Sequence, residues 1–270
     1  MAFGCALLLS AALALAATAE TTQPAPLDLV GVEGERATMV IRRLSDGKTW
    51  IANPARAERL FSPASTSKIP HTLIALESGF ATPDEVIAWD GRQRWLEAWN
   101  QDQTLRSAFQ RSAIWVYQRL TESLGQAAMA DWIARFDYGN RDVGEAEDLT
   151  TYWLRGPLAI SARQQIDFLE RLVRQTLPLS PQVYPQARAI MQADAGGDWV
   201  LYAKTGWFSG GRQTDIGWYV GWVERGPPAA AEVYLFAFNF DMTSPAESDK
   251  RLSVPLQALS AMGALPRDAR

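Results

Sequence analysis

Two short groups of residues hold most of the chemistry available to this 270-residue chain. The first is Ser65-Thr66-Ser67-Lys68, a hydroxyl and an amine three positions apart. On a helix that spacing sets both side chains on one face, within mutual reach. A helix start adds unpaired backbone N–H groups and the positive end of the dipole. The second group is Lys204-Thr205-Gly206-Trp207, at the end of a strand-like run, where glycine permits close approach to the backbone. S-x-x-K alone is common on surface helices, so its weight comes from its occurrence with K-T-G. Ser112-Ala113-Ile114, read as helical, and Tyr138-Gly139-Asn140 complete the set. The last also reads as an ordinary helix end, with Gly139 as the stop.

The rare residues sharpen this choice. Only Lys48, Lys68, Lys204 and Lys250 are lysine, against 22 arginines. Arginine stays protonated in a protein, whereas a buried lysine can lose its proton. An unperturbed lysine is only about 0.04% neutral at pH 7, a cost of about 4.6 kcal/mol that an apolar pocket reduces. A general arginine bias accounts for the scarcity equally well. One cysteine, Cys5, excludes an internal disulfide framework and a multi-cysteine metal site. One histidine, His71, excludes an H-E-x-x-H metallohydrolase and itself reads as structural. The net charge of −4 leaves no basic footprint for nucleic acid or anionic lipid. Asp90, Glu97 and Asp102 read as solvated loop charges.

The elements that must position these groups follow from periodicity. Residues 2–17 are apolar and end at Ala17-Thr18-Ala19, a small-x-small site. They read as a signal peptide over 1–19 cleaved after Ala19, too short to span a bilayer. Residues 20–270 are then one domain, expected to be exported to the periplasm with no stable membrane association. Ala37 to Leu44 and Thr49 to Ala52 form a hairpin around Asp46-Gly47. Helices are expected over 65–79, 104–125 and 126–136, and from Ser161, where Gln164 completes a capping box. Runs at 198–204, 216–224 and 232–242 read as antiparallel strands, and 252–265 as a closing helix. This order gives an α+β fold whose early and late strands share one sheet.

The joint occurrence of S-x-x-K and a later K-T-G is a signature of serine β-lactamases and penicillin-binding proteins. Residues 63–70 (PASTSKIP), Ser112-Ala113-Ile114-Trp115, Tyr138-Gly139-Asn140, Trp153-Leu154 with Gly156-Pro157-Leu158, Lys204-Thr205-Gly206-Trp207 and 217–222 (GWYVGW) resemble the class D (oxacillinase-type) serine β-lactamases. The resemblance runs from about residue 37 to 266. It implies a serine β-lactamase/penicillin-binding-protein-like fold, with an antiparallel sheet flanked by helices beside a helical lobe, and hydrolysis of small β-lactam antibiotics that confers resistance.

The resemblance assigns roles as well. Ser65 is the expected nucleophile and Lys68 the base, carried as an N6-carboxylysine. No cofactor or metal is implied beyond the carbon dioxide or bicarbonate that carboxylates Lys68. Ser112 relays a proton to the leaving nitrogen. Lys204, Thr205 and Arg251 orient the substrate carboxylate, and the backbone N–H groups of Ser65 and Trp207 form an oxyanion hole. Trp153 supports the carbamate, with Ile114 and Leu154 lining its surroundings. Carboxylation takes the net charge from −4 to −6.

Ser67 stands where the family usually has phenylalanine; a hydroxyl beside Lys68 is expected to admit water and disfavour carboxylation. Ile114 replaces the usual valine. Three other readings share these motifs: a penicillin-binding D,D-peptidase, a β-lactam-sensing domain that stays acylated, and another Ser–Lys hydrolase. Ile114, in place of the asparagine usual in penicillin-binding proteins, counts against the first. The motifs leave open substrate range and the choice between monomer and homodimer.

Overall fold

The computed structural model of the chain describes residues 22–24, 34–211 and 214–267, so the apolar leader at 1–19 lies outside the described residues. Strand β1 (Thr22–Pro24) precedes the hairpin of β2 (Ala37–Arg43) and β3 (Thr49–Ala52). A short helix α1 (Pro54–Ala57) leads into α2 (Lys68–Glu77), α3 (Leu105–Arg111), α4 (Ile114–Leu124), α5 (Gln126–Arg135), α6 (Ala162–Val173) and α7 (Val183–Met191). The chain returns through β4 (Gln192–Gly196), β5 (Trp199–Phe208), β6 (Asp215–Arg225) and β7 (Glu232–Met242), and α8 (Lys250–Ala261) follows.

The strands form one sheet in the order β1-β3-β2-β7-β6-β5-β4. Early and late strands meet where β2 pairs with β7, from Ala37 opposite Phe240 to Arg43 opposite Tyr234. Pairing is antiparallel except between β1 and β3. Period-two alternation divides the side chains between two cores. Val40, Trp218, Val220, Trp222, Leu235 and Ala237 pack with the helical middle of the chain. Their neighbours Met39, Ile41, Tyr219, Val223, Phe236 and Phe238 pack instead with Val254, Ala258 and Leu259 of α8. Helices therefore cover both faces, and the α+β reading holds.

Several boundaries differ from expectation. The helix expected over 104–125 is two helices, broken at Ser112, whose φ of 58° is left-handed. The helix expected from Ser65 opens with a 3-10 turn over Ala64–Ser67 before α2. Helix α7 was not anticipated, because Pro185 in its first turn resembles a loop signal; proline is tolerated there, where the N–H has no intrahelical acceptor. Strand β4 has the weak strand formers Gln-Ala-Asp-Ala-Gly and exists through its pairing with β5. The Ser161–Gln164 capping box forms as read, with reciprocal bonds of 3.1 and 3.0 Å.

Candidate active site

The nucleophile turn is held from several sides. Ala64 takes φ 46°, which a non-glycine residue adopts at a cost of about 1–2 kcal/mol. The Thr66 hydroxyl donates to the Pro63 carbonyl and the Ser67 hydroxyl to the Ala64 carbonyl, each at 2.7 Å. Gln165 of α6 donates to Thr66 Oγ1 at 3.0 Å and reaches the Tyr138 hydroxyl at 3.4 Å. Tyr138 thus supports the turn at one remove; the helix before it ends at Arg135, with Asp137 in the left-handed position just after the cap, so Gly139 is not its stop. With the turn fixed, Lys68 Nζ donates to Ser65 Oγ at 2.9 Å.

Lys68 is fully buried. Burial, and next the nearby charge of Lys204, pushes its pKa well below the ordinary lysine value. Both influences favour the neutral amine, the form able to accept a proton or attack carbon dioxide. Its Nζ lies 5.2 Å from the centre of the Tyr117 ring. One helical turn on, buried His71 places Nε2 2.5 Å from the Tyr152 hydroxyl and its ring centre 4.7 Å from that of Trp153. Burial, then Lys68, lowers the His71 pKa to about 3, so the ring is neutral. The Trp153 backbone carbonyl accepts from Ser62 Oγ at 3.0 Å. Its indole Nε1, a donor only, is buried without a hydrogen-bond partner among the described residues.

The sheet supplies the facing wall. Strand β4 pairs with β5 only as far as Tyr202, while β6 pairs on to Phe208. Among the described residues the segment 203–208 therefore presents an edge without a strand partner on one side, and this edge meets the nucleophile turn. At Gly206 a Cβ would stand 3.0 Å from Thr66 Cγ2 and 3.1 Å from the Pro63 oxygen. Lys204 is 4% exposed, and its ammonium donates to the Thr205 carbonyl and hydroxyl at 3.1 and 3.3 Å. Burial, helped by Arg251, lowers the Lys204 pKa to about 7. Arg251 donates to the Ser248 carbonyl at 2.8 Å and lies 5.1 Å from the Trp207 ring centre, so it belongs to the site rather than to open surface.

A cleft of about 500 Å³ opens between these walls. Of the expected residues, Ser65, Ser112, Ile114, Thr205, Trp207 and Arg251 line it. Lys68 lies beneath Ser65. Lys204 lines an adjoining pocket of about 410 Å³, which shares Thr205 with the cleft. Trp153 is fully buried and half-buried Leu154 packs on the helical core; neither belongs to the cleft lining. Ser112 reaches the cleft through its left-handed turn, rather than from mid-helix as expected.

The sequence reading missed Trp95, Leu96 and Ser209 as cleft residues and had not placed Trp99. Trp95 is 82% exposed and meets Trp99 edge-on at 5.5 Å. Its loop is pinned by the Arg94–Asp90 ion pair at 2.7 Å and the Arg94 N–H to Asn100 Oδ1 bond at 2.7 Å. Asp90 is thus a bracing residue, not a merely solvated charge. Two tryptophans four apart in a polar stretch were the available signal. Among the described residues no cluster of histidine, cysteine, aspartate or glutamate could hold a metal, and no helix is long and apolar enough to cross a membrane.

Comparison with known proteins bears on this arrangement. Residues 32–257 match the penicillin-binding-protein transpeptidase domain family. The β-lactamase OXA-20 of Pseudomonas aeruginosa is 39% identical over 86% of this chain and 84% of its own length. The β-lactamase OXA-2 of Salmonella typhimurium is also 39% identical, over 86% of this chain and 82% of its own. Among solved structures, the class D β-lactamase YbXI from Nostoc superposes with a TM-score of 0.82 at 37% identity, covering 85% of this chain and 95% of that one. The class D enzyme from Sebaldella termitidis gives 0.84 at 29% identity, over 91% and 99%. With its Ser–Lys pair facing a K-T-G strand edge across one cleft, the chain belongs to the class D β-lactamases of the penicillin-binding transpeptidase fold.

Proposed function

We propose that this protein hydrolyses β-lactam antibiotics, conferring resistance, through an acyl-enzyme on Ser65. One observation carries the reading: Ser65 Oγ lies 2.9 Å from the amine of a fully buried lysine with depressed basicity. Lys68 takes the Ser65 proton as the hydroxyl oxygen attacks the lactam carbonyl. Ser112 passes a proton to the nitrogen released when the ring opens. The Ser65 and Trp207 backbone N–H groups receive the developing oxyanion, a contribution of about 10² to 10³ in rate for one donor. Lys204, Thr205 and Arg251 hold the substrate carboxylate. Water then attacks the acyl carbonyl, and Ser65 leaves with its proton restored.

Lys68 works in this reading as the N6-carboxylated residue. The residues present fit that group: Trp153 Nε1 is a buried donor lacking an acceptor, which would otherwise cost about 1–3 kcal/mol. When formed, the carbamate supplies an anionic base for both acylation and deacylation. Ile114 and Leu154 lend an apolar setting nearby. The protein acts in the periplasm after removal of residues 1–19, as a monomer or homodimer.

The test mixes purified protein with a chromogenic cephalosporin, with and without added bicarbonate. Steady turnover that bicarbonate enhances is expected. A stoichiometric burst that leaves a stable adduct on Ser65 would overturn the reading in favour of a peptidase or sensor.

A further inference from the structure

Behind Lys68 three buried aromatic rings close on one another. The centres of His71 and Trp153 are 4.7 Å apart, Tyr152 and Trp153 4.8 Å, and His71 and Tyr152 5.6 Å, all in edge-to-face geometry. Such contacts hold each ring in a defined orientation. One polar link ties the triangle together, the 2.5 Å hydrogen bond between His71 Nε2 and the Tyr152 hydroxyl. His71 belongs to α2, three residues after Lys68, and so presents to the same helical face. The fully buried Tyr117 ring faces both, its centre 5.2 Å from Lys68 Nζ and 6.3 Å from the His71 ring. Among the described residues Trp153 Nε1 is a buried donor without a hydrogen-bond partner, and His71 Nδ1 is likewise unpartnered. The indole lies edge-on against both His71 and Tyr152, while Ser62 bonds the Trp153 backbone carbonyl, so the residue is held by groups that flank the Ser65–Lys68 turn.

We propose that His71, through its hydrogen bond to Tyr152, is a positioning residue that holds the Trp153 indole ready to bond the Lys68 carbamate. The proposal rests on the carboxylated-lysine reading above and extends it to a residue that touches neither substrate nor carbamate. His71 itself transfers no proton in this role. It sets how much bicarbonate is needed to carboxylate Lys68, because an indole already oriented gives up less freedom when the carbamate forms.

The experiment is a ¹³C NMR titration of the protein with ¹³C-bicarbonate, following the lysine carbamate signal before any β-lactam is added. Tyr152→Phe removes the same hydrogen bond from the other side while keeping a ring, and His71→Phe serves as the second variant. Losing one net hydrogen bond should raise the bicarbonate concentration at half-carboxylation about two- to tenfold. At limiting bicarbonate kcat should fall in proportion, and it should recover at saturating bicarbonate with KM little changed. Lower thermal stability with an unshifted carbamate midpoint would mean a purely structural role and overturn the proposal. Absence of the carbamate signal from the unsubstituted protein would instead sink the parent reading of Lys68, and this inference with it.

Discussion

Gly206 and Thr66 stand so close that a β-carbon on the glycine would meet Thr66 Cγ2 at 3.0 Å. This contact joins the two sequence motifs, because Gly206 lies on the β5 edge and Thr66 immediately follows the nucleophile. Trp218 Cβ and the Pro63 oxygen stand as near on the remaining sides, at 3.0 and 3.1 Å. Gly206→Ala must therefore push the turn and the strand apart by a few tenths of an ångström. Overpacking of this kind costs about 1–3 kcal/mol of stability. Since a 1 Å misplacement costs about 10²-fold, a smaller shift should lower kcat/KM about tenfold. Steady-state kinetics and a thermal melt check this; wild-type values in both would refute the packing argument.

What the sequence disclosed depended on how local the determinant was. Ser65 and Lys68 were legible because three residues of separation fix their proximity, and the hairpin and β5–β7 because alternation encodes a strand. The break at Ser112 was illegible. Neither glycine nor proline marks it, and its left-handed φ falls at the junction of α3 and α4. The bond from Gln165 to Thr66 spans 99 residues of sequence and leaves no local trace. Trp95 looked like one core tryptophan among eleven, yet it stands open at the cleft mouth.

Replacing Lys68 by arginine tests the base directly. Guanidinium keeps its proton in a protein and cannot accept one from Ser65. Turnover of a chromogenic cephalosporin should fall by about 10² to 10⁴, the contribution of a well-placed base. Mass spectrometry of the protein after mixing reports whether Ser65 still acylates. Near-normal hydrolysis would remove Lys68 from the mechanism.

Lys204 predicts a pH dependence with a defined sign. Burial, then Arg251, lowers its pKa from 10.5 to about 7, so in the free enzyme it is charged below that pH and neutral above it. An anionic β-lactam is therefore captured best at low pH, and kcat/KM should decline as pH rises through about 7. Bound carboxylate favours the charged ammonium, so kcat should hold to higher pH than kcat/KM. In Lys204→Arg the decline should vanish, whatever the absolute rate. A profile identical to wild type in that variant would assign the titration to another group.

Ser67 was expected to wet the lysine pocket, but its hydroxyl is fully buried and turned onto the Ala64 carbonyl at 2.7 Å. With its proton committed to the backbone, the hydroxyl has none left to donate towards Lys68. Ser67→Ala should then leave the bicarbonate concentration for half-maximal turnover within about twofold, while the lost bond costs about 1 kcal/mol of stability. A large fall in the bicarbonate requirement would instead show that the hydroxyl opposes carboxylation.

Trp95 yields a prediction about selectivity rather than rate. It is 82% exposed at the cleft rim, rests edge-on against Trp99, and shares the opening with Trp207, itself 37% exposed. A side chain this open contributes little to folding, so Trp95→Ala should shift stability by no more than about 0.5 kcal/mol. An aromatic acyl group on a bound β-lactam can instead pack against the indole, a contact worth about 0.5–1.5 kcal/mol. Removing it should raise KM for β-lactams with aromatic side chains by about two- to tenfold, and leave KM for those with small side chains nearly unchanged. Parallel Michaelis–Menten measurements on one substrate of each kind decide the matter. Equal changes for both would show that Trp95 shapes the loop and makes no contact with the substrate side chain.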